Sequence, residues 1–314
     1  MFFPSKNINL ANRSLGMHRL GETEDMTEEP SLAFGGQAVL EGIMLRSKKN
    51  MVVCIRTANN KILTMTEEVA SLSEKYTILR LPLLRGVIAL IETLYLGVKG
   101  LYFSVNATLT EEEKLSNKEI AVTLLSALAL TIFLFSVLPF LLTTLFPFGG
   151  ITFNLVEGVV RLSVFLLYLA AISFVKEYNR LLQYHGAEHM AINAYEAGAP
   201  LNVGNIKKYS RFHARCGTAF ILITALTSIL FFSLMPDLGY FVRLTYRVLL
   251  IPVIGAVSYE LLRLSDKYKE SRIIKALLAP GLGLQFLTTR EPDEAMLMVA
   301  LKAVEEISTL HESR

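Results

Sequence analysis

The chain has 314 residues, of which 52% are hydrophobic and only 19% are charged, and its mean hydropathy is +0.44. Soluble domains carry about a quarter charged residues, so this composition favours a membrane protein. A net charge of +3, without a basic stripe, gives no indication of nucleic-acid binding. Cys54 and Cys216 lie far apart in segments of different character, so no disulfide framework is indicated.

The first 76 residues divide into a tail and a β-rich segment. Residues 1–30 lack the apolar core of a cleavable signal peptide and carry an acidic cluster, which predicts a flexible tail. Residues 31–76 contain two β-rich runs, MVVCIRT at 51–57 and KILTMTEEV at 61–69, on either side of the turn-forming sequence ANN. This pattern predicts a β-hairpin in a small cytoplasmic α+β part.

Residues 77–119 are predicted to form an interfacial helix and a linker. Arg85, Glu92 and Lys99 are spaced seven residues apart, so a helix places them in one polar line. A helix with such a line fits better in the plane of the membrane interface, or packed on a helix bundle, than as an isolated span.

Four apolar stretches are long enough to cross a bilayer, which takes about 20 residues. They pair into two hairpins, 120–176 and 216–263, whose tight turns contain no Lys or Arg. The segment between the hairpins and the C-terminal side are rich in Lys and Arg, so both termini and the central segment are expected in the cytoplasm. The four predicted spans are 120–146, 154–175, 216–236 and 240–262.

The C-terminal segment, residues 264–314, is expected to lie in the cytoplasm. Its sequence EPDEAMLMVALKAVEEISTL has apolar residues at helical spacing, and Pro292 lies near the predicted helix start. The fold class is therefore a mainly α polytopic membrane protein, with four transmembrane helices in two hairpins, an interfacial helix and a small cytoplasmic α+β part.

Ionisable groups are concentrated in the cytoplasmic segment 177–215, above all in YHGAEHMAINAYE at 184–196. His185 and His189 are four residues apart, so on a helix they share one face, the spacing with which two imidazoles bind one zinc ion. With Glu188 between them they match the pattern H-x-x-E-H of inverted zincins, in which the glutamate is the general base.

A second pair of zinc-type ligands, His213 and Cys216, lies in RFHARCGT at the start of the third apolar stretch. Three protein ligands would make a catalytic zinc site and four a closed structural site, and the sequence leaves both open. A solvated helix face and an inert buried cysteine are the alternatives. Three of the five histidines and one of the two cysteines lie between positions 185 and 216, which favours a metal site.

Four other residues are expected around this centre. Glu196 follows His189 on the same helical stripe but about 10 Å further along the axis, so it is predicted to contact substrate or to support a ligand. Arg211 and Arg215 are expected to steady an anionic substrate. Glu41, in QAVLEGIMLR, is an acid that could reach the same region, although a turn or ion-pair role is favoured.

Charged residues also occur within the apolar stretches. Glu157 and Arg161 are four residues apart and can pair directly. Arg243 and Arg247 lie at the corresponding depth of the fourth stretch. The favoured interpretation is an ionic cluster that joins the two hairpins, and a transport role is the alternative.

The segments GGQAVLEGIMLR, QYHGAEH, RFHARCGT and LTTREPDEAMLMVAL resemble the signature segments of the YqhQ family, from about residue 31 to the C-terminus. This family consists of bacterial membrane proteins with a domain of unknown function, and they are described as predicted metal-dependent enzymes. Met190 is a departure, because the family more often carries a lysine there. The resemblance implies Glu188 as the acid–base group and a metal site at His185, His189, His213 and Cys216.

Two functional hypotheses follow. The first is a zinc-type, metal-dependent hydrolase of the bacterial inner membrane, with its site at the cytoplasmic face and a peptide or a lipid-derived ester as substrate. The second is a non-enzymatic membrane factor that binds or regulates another membrane protein complex, in which the His/Cys cluster is a structural metal clasp. The expected partners are the lipid bilayer and another membrane protein or its peptide segment.

Overall fold

A computed structural model of the chain describes residues 34–109, 116–235, 239–268 and 271–312. The flexible tail predicted at 1–30 lies outside these residues. The described part is mainly helical and contains one small antiparallel sheet.

The sheet has four strands in the order β1–β2–β3–β4, and each strand pairs antiparallel with the next. The hairpin that the sequence predicts is formed by β3 and β4. The glycine-containing segment before it forms the other two strands, with a turn in which Glu41 has a φ of 53°. The strands are Gly35–Val39, Gly42–Arg46, Asn50–Arg56 and Ile62–Glu68.

The helices account for most of the remaining residues. A 3₁₀ turn at Thr77–Arg80 precedes the long helix Leu84–Thr108, and a π-helical segment at Phe133–Val137 joins the helices Asn117–Ile132 and Leu138–Thr144. The helices are α1 Leu72–Lys75, α2 Leu84–Thr108, α3 Asn117–Ile132, α4 Leu138–Thr144, α5 Gly150–Ser173, α6 Lys176–Glu196, α7 Val203–Ile206, α8 Gly217–Ser233, α9 Tyr240–Leu249, α10 Ile251–Lys267, α11 Arg272–Thr288 and α12 Glu294–Glu312.

Both faces of β3 are covered, which explains its continuous apolar sequence. Met51, Val53 and Ile55 form a buried cluster with Leu96 of α2. Successive side chains of a strand alternate between faces, so Cys54 points to the opposite face, where α12 packs against β2 and β3. The C-terminal helix that the sequence predicts is thus part of the same compact unit as the sheet.

Among the described residues, three helical stretches are long and apolar enough to cross a membrane, and α9 with α10 would make one more if this pair, bent by 42°, counts as a single span. Three of these coincide with predicted spans, whereas the predicted third span corresponds to α8, a shorter apolar helix of 17 residues. The remaining candidate span is α2, which the sequence predicts as an interfacial helix. The three stretches are Leu84–Thr108, Lys118–Thr144 and Gly150–Ser173.

Helix α2 packs along the sheet and against α10. The polar line predicted along this helix faces these neighbours, and each of its three charged residues pairs with an opposite charge on another element. Helix α2 is therefore packed against other elements, which is one of the two placements that its sequence predicts. The pairs are Arg85–Glu260 (Nε to Oε1, 2.7 Å), Arg46–Glu92 (2.9 Å) and Lys99–Glu67 (2.6 Å).

The ionic cluster predicted between the hairpins is present and buried. Glu157 of α5 pairs with Arg161 on its own helix, and its Oε2 lies 3.0 Å from Nη1 of Arg247 on α9. Arg161 also donates to Ser228 of α8 at 3.1 Å, and Arg243 is buried close to Arg247. The cluster therefore connects α5 to both helices of the second apolar region.

Candidate metal site

Helix α6 carries the predicted histidines on its second half, which is mostly buried. His185 and His189 lie on one face, with their ring centroids 4.4 Å apart. A Cβ atom at Gly186 would lie 2.1 Å from the carbonyl oxygen of Arg290, so only glycine lets the segment after α11 approach this closely. That approach brings the carbonyl of Thr288 to His185.

Both imidazoles are held in the same tautomer by main-chain carbonyls. Nδ1 of His185 lies 2.7 Å from the oxygen of Thr288, and Nδ1 of His189 lies 2.6 Å from the oxygen of Arg211. A carbonyl can only accept a hydrogen bond, so each Nδ1 carries a proton, and in the neutral form of each ring Nε2 carries the free lone pair. Metal-binding histidines are typically oriented in this way.

Cys216 supplies the third candidate ligand atom. Its Sγ lies 3.3 Å from Nε2 of His185 and accepts hydrogen bonds from the main-chain N–H and the hydroxyl of Thr218, at the start of α8. His185, His189 and Cys216 each offer one candidate ligand atom, and these three atoms lie within 4.8 Å of one another. Tetrahedral zinc bonds place nitrogen and sulfur ligands about 3.5 Å apart, and the 3.3 Å between Sγ and Nε2 of His185 is close to this spacing.

The environment of His189 keeps its imidazole neutral. The side chain is buried, and burial lowers its pKa to about 3, with the nearby His185 adding to the effect. A neutral imidazole is the form that binds metals. His189 therefore meets this requirement at physiological pH.

Glu188 lies beside the three ligands and is buried, with 4% of the residue exposed. Its Oε2 has no hydrogen-bond partner within the described ranges, and its carboxylate packs against the main chain of Gly36 in β1. Burial raises the pKa of Glu188 to about 8, an effect that His185 opposes. A carboxyl group with such a pKa can exchange a proton near neutral pH.

His213 is placed next to the three-ligand group rather than in it. Its ring centroid lies 5.7 Å from that of His189, and its Nε2 lies 3.5 Å from Oε2 of Glu196. Gln285 of α11 holds the main chain of His213 with two hydrogen bonds, of 2.9 and 2.8 Å. The resemblance implies four ligands. The structure brings the ligand atoms of three of them together, and His213 lies beside this group.

The other predicted site residues lie around this group. Glu196 forms an ion pair with Arg215, as well as its contact with His213. Arg211 contributes its carbonyl to His189, while its guanidinium donates to the carbonyl of Thr289 at 3.0 Å. Arg211 therefore contributes to the site through its main-chain carbonyl, a role that the amino-acid sequence does not indicate.

Glu41 has the ion-pair and turn role that the sequence favours. It lies in the β1–β2 turn and pairs with Arg180 of α6 through both carboxylate oxygens. The hydroxyl of Tyr184 also donates to it at 3.3 Å. Glu41 therefore fixes the sheet to the first half of α6 and does not join the ligand group.

A cavity of about 370 Å³ borders the site on the His213 side. Glu196 and Arg215 provide charged lining, and Leu262 and Leu278 provide apolar lining. This is the size of a small-molecule site, and its mixed lining suits an amphipathic ligand.

Several residues that build the site were not predicted from the sequence. Gly36 contacts Glu188, Gln285 holds His213, and Thr288 orients His185. The available signal was that Gln285 is a lone amide in the apolar run ALLAPGLGLQFL, where a polar side chain needs a partner.

The fold and the site define a mainly helical protein with several apolar helices and an internal His–His–Cys group. Residues 81–310 match the family described as "Protein of unknown function (DUF1385)". The chain belongs to this family. It is also 35% identical, over 301 residues, to a protein of Bacillus subtilis (strain 168) named "Uncharacterized protein YqhQ", and the match covers 88% of this chain and 93% of that protein. No solved structure matches the chain.

Proposed function

We propose that the protein is a multi-pass protein of the bacterial cytoplasmic membrane with both termini in the cytoplasm. The long apolar helices support this, and none of the most apolar window of Lys118–Thr144 is buried by the rest of the fold. A surface of this kind needs lipid or another protein to cover it. The Lys and Arg content of the segment between the hairpins, against none in the turns 147–152 and 236–240, supports the orientation.

The proposed activity is metal-dependent hydrolysis at the cytoplasmic face. His185, His189 and Cys216 hold a divalent cation, and two imidazoles with one thiolate suit zinc. When bound, zinc supplies Lewis-acid chemistry that activates water and polarises the scissile group. The observation that carries this proposal is that both imidazoles have Nδ1 bound to a carbonyl while their ligand atoms lie within 4.8 Å of each other and of Sγ.

The chain's own residues then have separate roles. Glu188 accepts and returns the proton, because its raised pKa matches neutral pH and its Oε2 has no other partner in the described part of the chain. Arg215, oriented by Glu196, lines the cavity and binds an anionic part of the substrate. The mixed lining of this cavity is compatible with a peptide or with a lipid-derived ester.

A second candidate function is a structural metal clasp in a non-enzymatic membrane factor. The observation that favours it is the position of the candidate ligands, since Cys216 caps the N-terminus of α8 while the two histidines lie on α6. A cation here would tie α6 directly to the start of α8, and the carbonyls of Arg211 and Thr288 would hold the two imidazoles in place. Such a protein would bind or regulate another membrane protein complex.

Replacement of Glu188 by Gln distinguishes the two functions. The variant is purified in detergent for elemental analysis, and it is also expressed in a strain that lacks the native protein. Hydrolysis predicts that metal content stays and cellular function is lost, because the ligands remain but the proton acceptor does not. Glu305→Gln, at an exposed site on α12, is the matched control.

The clasp predicts a different pattern. Glu188→Gln would then retain cellular function, and removal of the metal by a chelator would unfold the cytoplasmic part, as measured by circular dichroism. A wild-type protein purified without any bound divalent metal, and unable to take up zinc, would contradict both functions.

A further inference from the structure

A second, larger cavity lies away from the histidines, between the sheet, α2 and α10. Its volume is about 790 Å³, within the range of ligand sites. It is lined by the β2–β3 turn, the segment from Ser71 to Arg80, the first part of α2 and one side of α10. Only Tyr259 and Arg263, among the residues lining it, also line the cavity beside His213.

The lining of this cavity is strongly basic. Two carboxylates, Glu74 and Glu92, face five cationic side chains, so the lining has an excess of three positive charges. Four serine and threonine hydroxyls add hydrogen-bond donors. The cations are Arg46, Lys48, Arg80, Arg85 and Arg263.

Two of these cations are available to a ligand. Arg46 pairs with Glu92, Arg85 pairs with Glu260, and Arg80 donates to main-chain carbonyls. Lys48 and Arg263 are exposed and form no salt bridge within the described part of the chain, although Arg263 contributes to the lowered pKa of Glu260, the partner of Arg85. An anion with several oxygen atoms would complete the charge balance of this cavity, and arginine is suited to phosphate.

Apolar side chains stand next to this basic cavity. Between Tyr76 and Leu84, five large apolar side chains are exposed, with Ile78 the most exposed at 65%. These residues lie between Glu74 and Arg85, which both line the cavity. The others are Tyr76, Leu81, Leu83 and Leu84.

The position along the helices agrees with a membrane boundary. Arg263 lies near the end of the bent apolar pair formed by Phe241–Leu249 and Ile251–Ser265, and Arg85 lies in the first turn of α2. Basic residues at the ends of apolar helices commonly contact the headgroup layer, where each contributes to the attraction of anionic lipid.

We propose that this cavity binds the headgroup of an anionic phospholipid, with Lys48 and Arg263 on its phosphate and the exposed side chains around Ile78 in the acyl boundary. A soluble phosphate compound would satisfy the cations but would leave the apolar side chains uncovered. A lipid satisfies both features. This binding requires neither a metal nor turnover, so it stands or falls separately from the proposed hydrolysis.

The test uses the full chain in nanodiscs, with the affinity for phosphatidylglycerol and for phosphatidylcholine measured by native mass spectrometry. We expect wild type to prefer phosphatidylglycerol. The double variant K48A/R263A is expected to lose roughly 30-fold in this affinity, because each basic residue contributes about a factor of five at an anionic surface. Lys48→Arg with Arg263→Lys keeps both charges and should retain the preference.

A matched control removes two charges elsewhere. Lys61 and Lys208 are exposed and do not line the cavity, so K61A/K208A should bind phosphatidylglycerol like wild type. Equal binding of the two lipids by wild type would overturn the proposal, as would an unchanged affinity in K48A/R263A. Displacement of the lipid by inorganic phosphate at equal concentration would also overturn it, in favour of a soluble phosphate ligand.

Discussion

Nε2 of His185 lies 3.3 Å from Sγ of Cys216, although the two residues are 31 positions apart in the chain. The contact joins the middle of α6 to the first residue before α8. His189 adds a third candidate ligand atom one helical turn further on. The fold thus combines the motif H-x-x-E-H of α6 and the segment RFHARCGT into one candidate metal site.

Replacement of a ligand should remove the metal. His189→Ala and Cys216→Ser each take one of three ligand atoms, so we expect bound zinc to fall from about one per chain to below about a tenth. The measurement is elemental analysis of protein purified in detergent. Controls of the same residue types are His311→Ala, at the exposed end of α12, and Cys54→Ser, in the sheet. Equal metal content in ligand variants and controls would refute the assignment.

Metal affinity should rise with pH. The thiol of Cys216 must lose its proton to bind, and burial raises its pKa above the ordinary value, so zinc competes with that proton throughout the neutral range. We expect the apparent affinity to increase about tenfold per pH unit between roughly pH 6 and 8, with release of about one proton. Calorimetry in buffers of different ionisation enthalpy measures this release. Binding without proton release would show that Cys216 is not a ligand.

The spacing of residues within one helix was sufficient to predict part of the site. His185, Glu188 and His189 are close in sequence, so helical geometry alone places them together. Their main-chain partners could not be predicted, because Thr288 lies 103 positions from His185 and belongs to another helix. No periodic pattern encodes such a contact.

The same limit applies to the fold. The heptad spacing of Arg85, Glu92 and Lys99 predicted a polar line, and the structure supplies its partners from β2, β4 and α10. The strands β1 and β2 were harder to recognise, since GGQAV and GIMLR are short and contain glycines that local propensity disfavours in strands. Packing of β1 against α6, and burial of β2 against α6 and α12, compensate for this weak propensity.

Glycine at position 36 should be required and glycine at position 35 should not. A Cβ atom at Gly36 would lie 2.2 Å from Oε1 and 2.6 Å from Cδ of Glu188, so Gly36→Ala must displace this buried carboxylate. A Cβ atom at Gly35 meets nothing within 4 Å. We expect Gly36→Ala to lower cellular function at least tenfold while Gly35→Ala behaves as wild type, in complementation of a strain without the protein. Similar function of both variants would mean that the position of Glu188 is unimportant.

The buried ionic cluster should be necessary for stability. Glu157→Gln removes the carboxylate that contacts both Arg161 and Arg247, which leaves two buried guanidinium groups without it. Loss of one partner of a buried pair typically costs about 3–5 kcal/mol, so we expect a large decrease in the unfolding temperature in detergent. Glu306→Gln breaks the partly exposed pair with Lys302 on the surface of α12 and should change the stability by less than about 1 kcal/mol. If Glu157→Gln unfolds at the wild-type temperature but loses cellular function, the cluster serves the alternative transport role instead of joining the hairpins.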